Sequence, residues 1–585
     1  MIKKYLLKKA LVFSIVGSLV LGLAGCGEKE ETTQSITAYE SPTTEASLQA
    51  PAESPVVNET GKYDGGTVME SCDTAASVNG TVAGDVDYVE ICPGDEYPDD
   101  TEFNTNEYDD LEENSWLSVK TSPLSTFAAD VDTASYSHIR NNIVNGYEVP
   151  ASSVRIEEMV NYFHYDYDEP KEGEKFAVYT EYADCPWNED TKLALISLNT
   201  EDIDFAEAPD SNLVFLIDTS GSMFDENKLP LVQKSLCMLA ENLTEKDRIS
   251  IVTYAGDDTV VLEGAAGDDY YTISKAIEQL EAYGSTNGSA GIETAYELAQ
   301  KYYIKGGNNR VILCTDGDLN VGVTSEGELE KLISKKKESG VFLSVLGFGY
   351  GNYKDTKLET LADKGNGNYS YIDSTFEAKR ALVDEMGANM VTVAKDVKLQ
   401  VEFNPENVKG YRLIGYENRT MAAEDFSDDT KDGGEMGAGH TVTAIYEIAL
   451  ADSDYEINEP DLKYGNDDAT NDEKNETGVD DSELLTCGGG LDSELFTVNV
   501  RYKEPEEDES KLNSYVCTVD NYDAKGSDNL RWAAAVAGYG MYLKDSEYMG
   551  TTDKELILSL AKSVSGWEDD GYKSEFIDLV EQYDK

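Results

Sequence analysis

Followed from one end to the other, the apolar and polar positions divide the chain into zones. From 27 to about 122 there is little periodicity; Glu, Thr, Ser, Asp and Gly dominate, and no face emerges on which a core could form. From 212 to about 386 short apolar runs alternate with amphipathic stretches. Leu213-Val214-Phe215-Leu216-Ile217 and Val311-Ile312-Leu313-Cys314 are uninterrupted, as in strands covered on both faces. Ile249 to Tyr254 and Val341 to Leu346 predict two more strands. Helices are predicted at Leu229 to Leu243, Tyr271 to Ala282, Ala290 to Tyr303 and near Glu326 to Lys337. Repeated strand–helix units imply an α/β fold with a doubly wound, mainly parallel sheet.

The flanks are patterned differently. On the N-terminal side a helical pattern runs past Tyr136 to Asn145-Gly146. A second helix is predicted at Ser153 to Phe163, where Ile156, Met159, Val160 and Phe163 share one face. Strands are predicted at Phe176 to Tyr182 and Lys192 to Leu198. After Met390 come strands at Val397 to Phe403, Tyr411 to Tyr416, Thr441 to Leu450 and Leu495 to Tyr502. Helices near Asn529 to Leu543, Lys554 to Val564 and Tyr572 to Tyr583 close the chain. Strands on both sides imply that the α/β unit is inserted into a β-rich α+β domain. The expected segments are a leader at 1–25, an acidic tether at 26–122 with order beginning around Leu124, an N-terminal module at 123–210, the α/β domain at 211–388, and a C-terminal module at 389–585. That last module is interrupted by an acidic, Asn-rich stretch, 452–485, expected to be disordered.

One constellation carries chemistry. Asp218-Thr219-Ser220-Gly221-Ser222 directly follows the first buried strand, and ligands gather beyond the carboxyl ends of strands in such sheets. The spacing lets one carboxylate and two hydroxyls converge from a tight turn, with Gly221 expected to relieve the backbone. Further oxygen donors are expected from Gly284-Ser285-Thr286-Asn287-Gly288, before a helix, and Thr315-Asp316-Gly317-Asp318, after a buried strand. Such donors suit a hard divalent cation.

This order of D-x-S-x-S, Thr and Asp resembles the metal-ion-dependent adhesion site of von Willebrand factor A domains over about 212 to 386. The resemblance implies a metal site of Asp218, Ser220, Ser222, Thr286 and Asp316 for Mg²⁺, or Mn²⁺ or Ca²⁺, with the serines and Thr286 coordinating directly and the aspartates directly or through water. Phe127 to Tyr136, Arg155 to Phe163, Tyr411 to Arg419 and Glu435 to Ala444 resemble the flanking modules of YfbK-type bacterial von Willebrand proteins.

The N-terminus changes the expected location. Lys3, Lys4, Lys8 and Lys9 precede an apolar run from Ala10 to Leu23, closed by Leu23-Ala24-Gly25-Cys26. This resembles a bacterial lipoprotein leader, which implies cleavage before Cys26, diacylation of its thiol, and a protein held by lipid on the extracytoplasmic face of a cell membrane. With 115 Asp and Glu against 47 Lys and Arg, the net charge of −68 excludes a nucleic-acid partner and leaves no basic patch to grip anionic headgroups. Of the other cysteines, Cys72 and Cys92 bracket a Gly-rich stretch and either bridge or stay free. Cys237 and Cys314 are expected to be buried thiols, and no CxxC or CxxH spacing points to zinc.

Other groups look less like sites. The register starting at Asp132 is Asp132, Ala134, Tyr136, which fails as a second metal loop, so one of Asp130 and Asp132 is expected to cap a helix. His138, His164 and His440 are scattered, and no Ser or Cys sits in a nucleophile elbow. The expected function is therefore not enzymatic. It is metal-dependent binding of a protein partner through an acidic residue of that partner. The alternative is a scaffold or assembly factor of an envelope complex in which the metal mainly orders the loops.

Overall fold

A computed structural model describes residues 106, 108–109, 111–202, 208–255, 258–283, 289–317, 326–351, 353–385, 391–431, 433–458, 493–505, 507, 509–564 and 571–585. The leader, Cys26, Cys72, Cys92, Thr286, Asp318 and most of 452–485 lie outside these residues.

The apolar run at Leu213 lies in β5 (Ser211–Asp218), every residue of which is buried. It is central in a six-stranded sheet of order β10 (Tyr369–Ile372), β9 (Phe342–Phe348), β8 (Asn308–Thr315), β5, β6 (Arg248–Tyr254), β7 (Asp258–Ala266). All neighbours are parallel except β7, which pairs antiparallel at one edge. Alternation along β5 feeds two cores. Leu213, Phe215 and Ile217 pack with Val232, Leu236 and Ile273, while Val214 and Leu216 pack with Ala295, Ile333 and Leu358. Helices on both faces explain why the strand has no polar side.

The flanking strands form two antiparallel sheets. One has the order β1 (Leu117–Ser118), β12 (Val408–Ile414), β15 (Thr441–Leu450), β4 (Lys192–Thr200), β3 (Phe176–Asp184). The other has the order β13 (Thr420–Met421), β2 (Leu124–Ala128), β11 (Thr392–Phe403), β16 (Glu494–Lys503), β17 (Ser510–Thr518), with β14 (Gly434–Gly437) also on β11. Strands from before and after the α/β region pair directly, β4 with β15 and β2 with β11. Ile196, Leu198, Phe127, Val401 and Val498 share a core. On β4 the alternate residues Leu193 and Leu195 pack instead with the helices Ala134–Val144, Ile156–Asn161, Asp528–Lys544, Lys554–Ser563 and Tyr572–Gln582, whose core includes Trp532 and Phe576.

Three expectations change. Structure begins ahead of Leu124: Leu117 pairs with Tyr411, Asn114 donates to the Gly415 carbonyl at 2.7 Å, and Trp116 packs on Tyr455 with ring centres 4.6 Å apart. The end of the expected tether thus covers the edge of β12, and Tyr455, expected in the disordered loop, takes part. Neither Asp130 nor Asp132 caps the helix Ala134–Val144, whose N-cap is Thr133 without a side-chain bond. Asp132 instead accepts from the Tyr369 N–H at 3.0 Å and pairs with Arg419 at 3.0 Å, while Glu158 accepts from the Ser135 N–H at 2.8 Å. Cys314 is buried as expected, but Cys237 is only half-buried, at the margin of the α/β core.

Charged side chains lock the α/β region to its flanks. Arg155 pairs with Glu359 at 3.3 Å, Arg419 with Glu359 at 3.0 Å and Asp363 at 2.8 Å, and His138 Nε2 lies 3.2 Å from Asp355. The helix Asp355–Lys364 therefore meets three cationic or imidazole groups from outside the α/β fold.

Candidate metal centre

β5 and β8 end side by side, which brings Asp218 and Asp316 to one edge of the sheet with both side chains shielded from solvent. The turn after β5 is fixed by its own hydrogen bonds. The Ser220 N–H donates to Asp218 Oδ1 at 2.9 Å, the Thr219 N–H to the Tyr254 carbonyl at 3.1 Å, and the Tyr283 N–H to the Thr219 carbonyl at 2.9 Å. Gly221 opens a short 3-10 turn, Gly221–Phe224, and is not among the residues of positive φ. The backbone relief expected there falls on Gly317 (φ +98), directly after Asp316, where a Cβ would lie 2.7 Å from the Lys354 nitrogen.

The Ser220 and Ser222 hydroxyl oxygens are 2.9 Å apart. That is hydrogen-bond distance, and the oxygen donors present fit a divalent cation that would replace the bond by coordination. The Thr315 hydroxyl is 3.4 Å from Asp218 Oδ2, and the buried Tyr254 ring lies alongside. Burial pushes the Asp218 carboxyl up to about 6, and the nearby Asp316 charge adds to this against the Ser220 hydrogen bonds. A site that makes the Asp218 carboxylate costly to ionise gains from a cation that offsets it. Among the described residues no group of three or more His, Cys, Asp or Glu side chains is placed to hold a metal, so the donors here are two carboxylates and hydroxyls. That set is hard oxygen, of the kind that divalent cations such as Mg²⁺, Mn²⁺ and Ca²⁺ take.

Of the residues expected from sequence, the structure brings together Asp218, Ser220, Ser222 and Asp316; Thr286 lies outside the described residues. It also places a residue that sequence reasoning missed. Lys228 Nζ donates to Asp316 Oδ2 at 3.0 Å, with the lysine side chain 7 % exposed and the aspartate fully buried. Nothing local marks it: it follows Asp225, Glu226 and Asn227 in a polar stretch that reads as solvent-exposed. The rim of the site is open, with Gly221, Ser222 and Asp225 exposed and the Phe224 ring 77 % exposed.

Residues 212–385 match the von Willebrand factor type A domain, residues 102–195 a model described as von Willebrand factor, and residues 388–585 the C-terminal region of YfbK. The YfbK protein of Escherichia coli K12 is 41% identical over 493 residues, covering 82% of this chain and 81% of that protein. Inter-alpha-trypsin inhibitor heavy chain H4 of Bos taurus is 27% identical over 182 residues, 28% of this chain and 20% of that one. A solved von Willebrand factor type A protein from Catenulispora acidiphila aligns over 67% of this chain and 87% of its own, at 15% identity and a TM-score of 0.37. A von Willebrand factor type A domain followed by a YfbK C-terminal region, together with close identity across most of the length, establishes that the chain belongs to the YfbK family of von Willebrand factor A proteins.

Proposed function

We propose that this protein binds a protein partner by presenting a divalent cation, Mg²⁺ or else Mn²⁺ or Ca²⁺, to a carboxylate of that partner. Domains of the von Willebrand factor A type commonly mediate protein–protein interaction, and the chain carries one. The observation that carries the metal-dependent reading is the Ser220–Ser222 hydroxyl pair, 2.9 Å apart beside the buried Asp218, with Ser222 on an exposed rim. Asp218, Ser220, Ser222 and Asp316 would hold the ion, with Thr286 added by family resemblance. Hydroxyl ligands carry no charge, so a bound ion would retain the Lewis acidity that recruits a further anionic ligand. This would be binding chemistry rather than catalysis.

The scaffold reading, in which metal mainly orders the loops, is less well supported. The loop after β5 is already pinned by the bonds of Thr219, Ser220 and Tyr283. Membrane attachment through a diacylated Cys26, on the extracytoplasmic face, completes the proposal and rests on the leader sequence. Among the described residues no helix is long and apolar enough to cross a membrane.

A pull-down from envelope extract, run with Mg²⁺ and then with EDTA, tests the binding reading against the Asp218→Ala variant. Expected is a partner retained by the wild type with Mg²⁺ and released by EDTA, and not retained by the folded variant. A partner that survives both treatments overturns the mechanism.

A further inference from the structure

We infer that Lys228 is a fixed positive charge built into the metal centre, which weakens the hold on the cation and makes the loaded site a receptor for one carboxylate. This rests on the metal-site reading above and adds to it the residue that sets the balance between cation and anion affinity.

The lysine is not at the site by chance of a flexible surface chain. Its backbone N–H donates to the Asp225 carbonyl at 3.0 Å, and its own carbonyl accepts from Leu231 and Val232 at 2.9 Å each. The residue is thereby fixed where the exposed rim turns into the helix Leu229–Ala240. The side chain then runs inward beneath Gly349. That glycine has φ +82, and a Cβ on it would stand 2.4 Å from Lys228 Cε and 2.8 Å from Cγ. Its position is held from the other side by the Tyr371 hydroxyl, which donates to the Gly349 carbonyl at 2.6 Å. A glycine is thus needed for the aliphatic stem to pass, and the ammonium emerges at Asp316 Oδ2.

Charge then decides the ligand. Asp218 and Asp316 together carry two negative charges, which a divalent ion alone would cancel. Counted over Asp218, Asp316 and Lys228, the loaded centre would carry one net positive charge in a shielded setting, where an uncompensated charge is costly. A single carboxylate from a partner restores neutrality; a neutral amide or hydroxyl does not, and a second anion overshoots. The same charge opposes entry of the cation, because Asp316 already has a partner that the ion must share. Lys228 therefore exchanges metal affinity for anion affinity, as a positioning residue that acts through Asp316.

The test uses the mature protein as wild type, Lys228→Gln, Lys228→Met and Lys228→Arg, with circular dichroism in EDTA confirming each fold. Mg²⁺ affinity is read by calorimetric titration, and acetate binding to the Mg²⁺-loaded protein by NMR. The two neutral variants should bind Mg²⁺ at least about tenfold more tightly and acetate at least about tenfold more weakly, with one charge removed from within a few ångströms. Lys228→Arg should stay near wild type in both, which a purely structural role would not require. If the wild type binds Mg²⁺ but the neutral variants bind both ligands as it does, or lose both together, the role of Lys228 is refuted. A wild type that takes up no Mg²⁺ refutes the metal-site reading itself, and this inference with it.

Discussion

Arg140 grips Asp373 with two hydrogen bonds, Nε to Oδ2 at 2.7 Å and Nη2 to Oδ1 at 2.6 Å, and so ties a helix of the flanking module to the end of the α/β sheet. The same guanidinium donates to Glu377 at 2.8 Å and to the Tyr162 hydroxyl at 2.7 Å. Burial alone would raise the Glu377 carboxyl, but Arg380 and Arg140 together hold it below its usual value. The module and the α/β domain are therefore joined by desolvated charges whose geometry is fully specified.

Removing one member of such a cluster strands the others. Arg140→Ala should cost about 3–5 kcal/mol, because Asp373 keeps its burial and loses the guanidinium, and Glu377 is left with Arg380. Chemical denaturation read by fluorescence and circular dichroism measures this. A loss below about 1 kcal/mol, the size seen for exposed pairs, would show that the cluster is solvated in solution.

The Ser220 and Ser222 hydroxyls should behave in the opposite way. Their hydroxyls bond to each other, so Ser220→Ala with Ser222→Ala removes both partners at once, and in EDTA stability should change by no more than about 1 kcal/mol. With Mg²⁺ at about a hundred times its dissociation constant, the wild type should gain about 2.7 kcal/mol and the double variant nothing. Thermal unfolding of both proteins with and without Mg²⁺ decides the matter. An equal gain in both would remove the serines from the metal shell.

How much of this was legible in the sequence depended on how local each signal is. β4 and β5 were readable because both faces are covered and their centres, Leu193 to Leu198 and Leu213 to Ile217, are apolar or small. β7 and β17 were not, because each is an edge strand with exposed positions such as Val260 and Leu512 mixed among polar ones. The short β10 was also missed, for want of length. At the site, Asp218, Ser220 and Ser222 share one turn and Asp316 follows a buried strand, so their nearness could be read from local pattern and family resemblance together. Lys228 reaches Asp316 across 88 residues, and Arg140 reaches Asp373 across 233. Such pairs depend on which strands become neighbours, and no periodicity in the chain records that.

The anchor proposed at Cys26 has a separate test. Cys26→Ser should move the protein from the membrane fraction to the soluble one and abolish labelling by a fatty-acid analogue, since a diacylated thiol supplies the attachment. Unchanged membrane partition in the variant would place the attachment elsewhere in the chain.

His440 gives the fold an acid limit whose sign can be worked out. Burial, with a smaller effect from the His164 charge, pushes its imidazole down from about 6.5 to about 4. The side chain lies at a turn where its backbone N–H donates to the Thr200 hydroxyl at 3.0 Å, so charging it must displace the segment between β14 and β15. A histidine whose folded value is depressed binds fewer protons folded than unfolded between the two values. Its contribution is complete above about pH 6.5 and is lost progressively as pH falls toward 4. Because part of the residue is still accessible, about 1–2 kcal/mol of loss over that window is expected rather than the full shift. His440→Gln, which cannot charge, should flatten that part of the stability profile relative to the wild type. Urea denaturation of the two proteins at half-unit steps from pH 7 to pH 4 makes the comparison, since the many carboxylates of the chain contribute equally to both. Parallel profiles across the window would mean that His440 stays hydrated in the folded protein and titrates near its unfolded value.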